Sequence, residues 1–389
     1  MKTPSIQSSL NLLSLAGFVF LLPVASAGDA LSEWVLNDVV TEVDTFGVSF
    51  WNGTFVAGGD PSEGFLFSTN GINWIEQAED RSDYPYRVAQ GNGRFVGLSF
   101  KGNILSSSDG TNWISQIPAT PNALFGVAYG KGHFVFAGAN GTILTSTNAA
   151  NWEVITIPGN PWSYGITFAN GKFVAVGFQG LVLTSEDGVN WISRASGTGH
   201  RLEGIVFGKD RFVAVGGGGT VLTSPDGIDW TRQNSQNDSD TYFNAVCFAI
   251  GSFVAVGSDG ANEAVIITSN DGIIWTRRSS PVTDELDDVI YGAGTFVVVT
   301  HSDRILRSGF LTTLEIDVSS YARLSLSGPI GHSYRIEYAN DFGSQQVWSS
   351  LLTTNLTTSP ITIIDPQSAA VPARFYRAVL LPPSFNFDR

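Results

Sequence analysis

The sequence predicts an all-β chain: a seven-bladed β-propeller closed by its N-terminal strand, followed by a small C-terminal β-sandwich. The first observation behind this is a period. Tryptophans fall at 74, 113, 152, 191 and 230, a constant step of 39 residues. The second is a phrase that each tryptophan closes: Ser-Thr-Asn-Gly-Ile-Asn-Trp at 68–74, Ser-Ser-Asp-Gly-Thr-Asn-Trp at 107–113, Ser-Glu-Asp-Gly-Val-Asn-Trp at 185–191 and Ser-Pro-Asp-Gly-Ile-Asp-Trp at 224–230. A fixed period near 40 in strand-forming sequence marks a propeller blade. The third is composition: 43 glycines against only 14% charged residues suits short strands joined by tight turns.

Residues 124–156 serve as the type blade. Phe125–Tyr129 is its first strand, His133–Ala137 its second, Thr142–Thr147 its third and Trp152–Ile157 its fourth. Glycine and asparagine between them supply the positive φ that hairpins need. Some second strands are apolar at every position, as in Phe173-Val174-Ala175-Val176, which requires burial of both sheet faces. Aligning first strands on Val48, Val88, Val127, Ile166, Ile205, Val246 and Val289 gives seven units. The seventh lacks a fourth strand, since Leu314 stands where its tryptophan belongs. Trp34 precedes Val48 by 14 residues, the offset that separates Trp74 from Val88. Ser32–Asn37 is therefore expected to complete the seventh blade and close the ring.

The repeated phrase lies at the turn between third and fourth strands. Its Asp accepts backbone N–H groups, its Gly supplies the bend, and its Trp wedges against the adjacent blade. Asp109, Asp187, Asp226 and Asp271, with Trp34, Trp74, Trp113, Trp152, Trp191, Trp230 and Trp275, are read as structural repeat positions. Calcium or sugar contact by these Asp residues is the alternative, and their recurrence in nearly every blade favours the staple. The phrase resembles the Asp-box (BNR-like) repeats of the sialidase-like propeller superfamily, which includes sialidases, sortilin-type receptors and photosystem II assembly factors. The resemblance covers roughly residues 32–310. In one respect it departs: Asp226 and Trp230 are four apart, one residue fewer than in the usual box. The units also resemble tandem repeats of exported proteins from environmental bacteria such as Verrucomicrobia.

Residues 1–27 read as a secretory signal: Lys2, an apolar stretch from Leu10 to Val24, and Ala25-Ser26-Ala27 as the cleavage site. That stretch is too short and interrupted to span a bilayer. No later run has membrane length, so no span is expected after signal removal. Without Lys2, 20 basic side chains face 35 acidic ones, which disfavours nucleic acid and anionic membranes. The lone Cys247, in the apolar run Ala245-Val246-Cys247-Phe248, reads as a buried hydrophobe. Export without disulfides points to a bacterial periplasmic, cell-surface or extracellular monomer. From Leu311 the period vanishes, and six short strands to Leu380 suggest the β-sandwich, spanning 311–382 before a loose tail at 383–389. Its Ser-Tyr-Arg-Ile-Glu-Tyr, Trp348 and terminal Arg374-Phe375-Tyr376-Arg377 resemble a C-terminal module of secreted Verrucomicrobial proteins.

Loops entering the innermost strands, together with the hairpins between second and third strands, crowd one end of a propeller's channel. Aligned by offset, the entering loops carry Asp44 and Phe46; Tyr84 and Tyr86; Phe125; Trp162 and Tyr164; Arg201 and Glu203; Tyr242 and Asn244; Glu285 and Asp287. Aromatic rings among carboxylates suit carbohydrate, because sugar faces stack while hydroxyls bond to acids and amides. Blade 6 is longer at this end by two residues before Val246 and by four in the hairpin Ser258–Ala264; blade 1 gains one around Asp60–Gly64. Length changes gather where function varies. The alternative is that these rings merely pack the mouth. A sialidase-like site needs an arginine cluster, and only Arg87 and Arg201 lie near. Glu203 with Asp287 or Glu285 offers paired carboxylates for glycosidic cleavage. His133, His200, His301 and His332 lack metal-ligand spacing, so neither metal nor cofactor is expected. The sequence thus leads to a non-catalytic binding or scaffold module for a glycan. Its alternatives are a protein-interaction or assembly platform and a glycan-active hydrolase or lyase.

Overall fold

The computed structural model describes residues 31–37, 43–58, 65–77, 84–99, 101–110, 112–235, 240–309, 313–318, 322–327, 333–339, 349–356, 361–365 and 375–380. The expected signal segment 1–27, the blade 1 hairpin at Asp60–Gly64, Trp348, Arg374 and the chain end from Pro382 lie outside these residues. Two compact units emerge, one spanning Gly28–Leu311 and the other holding Thr312–Arg389.

The first unit contains seven four-stranded antiparallel sheets. Blade 3 is typical: Leu124–Gly130, His133–Gly138, Thr142–Ser146 and Glu153–Thr156 pair in chain order. Blade 7 takes three strands from Leu286–Gly292, Thr295–Thr300 and Ile305–Ser308, and its fourth from Trp34–Leu36. Trp34 lies opposite Ser308, Val35 opposite Arg307 and Leu36 opposite Leu306. Asn37 extends the ladder by donating its N–H to Ile305 O at 2.9 Å. Each first strand contacts that of the next blade, and the first strand of blade 7 contacts that of blade 1, so the wheel is closed.

Seven apolar clusters hold it together, each shared by two successive blades. Along the second strand of blade 4, Phe173 and Ala175 join the cluster with blade 3, while Val174 and Val176 join the one with blade 5. This is why such strands are apolar at every position. Cys247 packs at the edge of the cluster between blades 6 and 7, where burial pushes its thiol up to about 12. It is a small hydrophobe, not a nucleophile.

The repeated phrase forms one turn in copy after copy. In blade 4, Gly188 donates its N–H to Ser185 Oγ at 2.8 Å, and Val189 and Asn190 donate theirs to Asp187 Oδ1 at 2.8 Å. The Asn190 N–H, with further donors, holds the Asp187 carboxyl well below the usual carboxylate range. Trp191, Trp230 and Trp275 donate Nε1–H to the carbonyl of their own box glycine. Each box tryptophan meets the cluster shared with the preceding blade: Trp191 that of blades 3 and 4, Trp230 that of blades 4 and 5. The glycine is required twice over. Gly188 has φ +75°, and a Cβ there would lie 2.8 Å from Val135 Cγ2 of blade 3. The box is thus an interblade staple.

In the second unit, Thr313–Val318, Ala322–Ser327 and Ile361–Asp365 make one three-stranded sheet, and Ser333–Ala339, Ser349–Asn355 and Phe375–Leu380 make another. Leu324, Leu326 and Ile363 of the first share a core with Tyr334, Ile336 and Tyr376 of the second. Tyr376 donates its hydroxyl to the buried Asp365 carboxylate at 2.7 Å.

Candidate functional site

All seven first strands run the same way round the wheel, so their beginnings share one mouth. Second strands are antiparallel to them, which returns the hairpins between second and third strands to that same mouth. The box turns accordingly lie on the opposite face.

At the start of the first strand in blades 2 to 7 the pairing slips by one residue, and the unpaired residue is Tyr86, Phe125, Tyr164, Glu203, Asn244 or Asp287. In blade 1 the equivalent position is Phe46, whose N–H meets Gly58 O at 3.0 Å. A bulge of this kind frees one residue from the ladder and re-aims its side chain. The wheel therefore presents one side chain per blade around its mouth. Blades 1 to 4 contribute four aromatic rings, and blades 5 to 7 contribute an acid, an amide and an acid.

The aromatic arc is built by contact. Phe125 stacks on Trp162 with centroids 6.0 Å apart and 25° between planes, and meets Tyr164 at 5.4 Å. Trp162 remains 41% exposed and Phe46 38%. Tyr86 is held more deeply, and burial raises its phenol above the usual range. The two arcs join at Arg201, whose guanidinium lies 5.1 Å from the Tyr164 ring centroid while pairing with Glu203. They join again at His301, 4.9 Å from the Phe46 ring and 3.3 Å from Asp287 Oδ2 through Nδ1. Between these points Asn244 donates Nδ2–H to Glu285 Oε1 at 2.9 Å and to Leu286 O at 3.0 Å. Burial, then the nearby Glu285 charge, push the Asp287 carboxyl up to about 7 against the attraction of His301.

One residue further along the first strands, Arg87 of blade 2 pairs with Asp288 of blade 7. Asp288 Oδ2 also accepts the Val48 N–H at 3.1 Å, so this carboxylate ties three blades together. Both arginines singled out from the sequence are thus engaged with carboxylates. Tyr84 is directed away from the ring of bulge residues and meets Phe65 and Phe67 edge-on at 5.1 Å in the packing of blades 1 and 2. Tyr242 is exposed and covers the blade 5 hairpin, where it bridges to Gly217. Two residues at this end of the wheel escaped the sequence alignment, His301 at the mouth and the exposed Phe178 on the blade 4 rim beside it. Both lie in hairpins between second and third strands, and aligning those hairpins as the entering loops were aligned would have exposed them. Among the described residues no cluster of three or more His, Cys, Asp or Glu side chains has the arrangement of a metal site.

No family model matches the chain, and no curated protein does. Solved structures do. The chain is similar to YCF48 from Cyanidioschyzon merolae at 18% identity and a TM-score of 0.55, over 71% of this chain and 98% of that one. It is similar to a structure described as YCF48 bound to D1 peptide at 16% identity and a TM-score of 0.57, over 75% and 98%. It is also similar to virginiamycin B lyase from Staphylococcus aureus at 12% identity and a TM-score of 0.61, over 72% and 100%. The likeness is one of fold, the seven-bladed β-propeller.

Proposed function

We propose that this chain is an exported, non-catalytic recognition module that holds a glycan against the ring of bulge residues at its mouth. The observation that carries this reading is the ring itself: one re-aimed side chain per blade, aromatic along one arc and hydrogen-bonding along the other. A sugar presents the same duality, with a C–H face for Tyr164 and Phe125 and hydroxyls for Asn244, Glu203 and Asp287. The signal-like segment at 1–27 supports export, and the Ser-Asp-Gly-Trp turn supports kinship with Asp-box propellers of the sialidase-like kind. Cleavage by paired carboxylates has less support, because Glu203, Glu285 and Asp287 each engage a partner of another type.

A second reading, a docking platform for a polypeptide segment, is favoured by the structure of YCF48 bound to D1 peptide. An array of neutral and acidic oligosaccharides beside an array of peptides separates the two. The glycan reading predicts oligosaccharide hits whose affinity falls at least about tenfold, or about 1.4 kcal/mol, when Tyr164→Ala is combined with Asn244→Ala. Peptide hits with a blank oligosaccharide array, or oligosaccharide binding indifferent to that double variant, contradict it.

A further inference from the structure

Beside the mouth, on the rim of blade 4, three segments of chain enclose a cleft of about 820 Å³. They are the entering loop 159–162, the hairpin 178–181 and the departing segment 193–198. Nothing in the ring of bulge residues requires this cleft, yet its lining has a definite chemistry. Trp162 and Phe178 bring two half-exposed aromatic faces, at 41% and 50% exposure. Asn160 and Gln179 are exposed at positive φ, 53° and 52°. Among the described residues neither amide has a hydrogen-bond partner. Arg194 is the one charged lining residue. Its Nε–H donates to Thr184 Oγ1 at 3.0 Å, which fixes the side chain and leaves its terminal nitrogens as donors.

Flat rings beside uncommitted amides and a tethered guanidinium match a pyranose, which offers an apolar face bordered by hydroxyls. They match a lipid or a hydrophobic helix poorly, since half of the lining is polar. The volume lies within the usual range of small-molecule sites, about 300–1,000 Å³. Trp162 also belongs to both places: it stacks on Phe125 of the mouth and lines the cleft. The geometry points to an outer saccharide subsite on blade 4, so that an oligosaccharide seated in the mouth runs outward across Trp162 and places a further pyranose against Phe178, Asn160 and Gln179. This rests on the glycan reading of the mouth and adds to it a direction and a length requirement.

Calorimetric titration of the full chain with malto-, cello- and chito-oligosaccharides of two to six rings tests it. Phe178 and Gln179 are exposed, so Phe178→Ala and Gln179→Gly leave the fold intact, and the glycine retains the corner's positive φ. Against the series that binds, Phe178→Ala is expected to weaken the hexasaccharide by about tenfold and leave the disaccharide unchanged. Gln179→Gly follows the same pattern with a smaller loss. The mouth variant Tyr164→Ala instead weakens both lengths. If Phe178→Ala and Gln179→Gly match the wild type at every length while Tyr164→Ala still weakens binding, the outer subsite is overturned and the mouth stands. If the wild type binds no series, the glycan reading falls and the subsite falls with it.

Discussion

Asp287 is the residue at which the mouth's chemistry costs the fold something. Burial and the charge of Glu285 raise its carboxyl to about 7 from an ordinary 3.8. A carboxyl whose pKa is higher folded than unfolded binds its proton more tightly in the folded chain. Its contribution is fully present below about pH 4 and is lost as pH rises through 7. Asp287→Asn should therefore melt like the wild type at pH 4 and several degrees higher at pH 8, measured by calorimetry across that range. A gap that is constant with pH contradicts the assignment. Asp187 has the opposite sign: backbone donors hold it low, so its contribution is present at neutral pH and is lost as pH falls below the ordinary carboxylate range. At this scale, offset from the first-strand Val or Ile brought out all seven ring positions in the sequence, because a repeat makes equivalent positions countable. His301 stayed hidden since its pairing with Asp287 spans 14 residues and depends on a hairpin bending back over the mouth.

The staple turn, in blades 1 to 6, and the bulge, in blades 2 to 7, are the two elements that shape the blades, and they differ in how openly the sequence declares them. The turn has its own vocabulary of Ser, Asp, Gly and Trp, each filling a separate hydrogen-bonding or steric need. Truncating Trp191→Ala removes a ring from the cluster of blades 3 and 4 and should cost about 3 kcal/mol in urea unfolding. Gly188→Ala should destabilise too, because its Cβ meets Val135 and its φ is positive. An unchanged midpoint for Trp191→Ala contradicts the staple. Blade 3 shows the turn under strain, with Ala149 at φ 59° in the glycine position and the Trp152 indole N–H buried without a partner among the described residues. The bulge has no such vocabulary. Leu124-Phe125-Gly126 reads as unbroken strand, and nothing in its residues announces that Phe125 leaves the ladder. At the blade 3 slip neighbouring first strands run close together: a Cβ on Gly126 would press on Ile166 of blade 4. Such a contact is long-range and invisible to local pattern.

Over the whole molecule the wheel divides its labour by face. One face holds the box turns, fixed by backbone-directed bonds and interblade clusters; the other gathers the bulges, the second hairpins and the blade 4 cleft. Closure completes the wheel. Trp34–Leu36 completes blade 7, and Asn37 Nδ2–H reaches Gly71 O of blade 1 at 2.9 Å, so no open interface remains between first and last blades. The period and the 14-residue offset made this closure legible, since each blade repeats the same spacing. The candidate binding face was legible only from loop residues, and its partition into aromatic and polar arcs required the bulges. Hydrogen–deuterium exchange of the full chain, with and without the tightest-binding oligosaccharide, examines that claim directly. Slowed exchange is expected in 159–164, 201–205, 242–246 and 285–289, with the box turns 185–191 and 224–230 unchanged. Protection confined to the box turns or the outer strands, with the mouth segments unaffected, would contradict it.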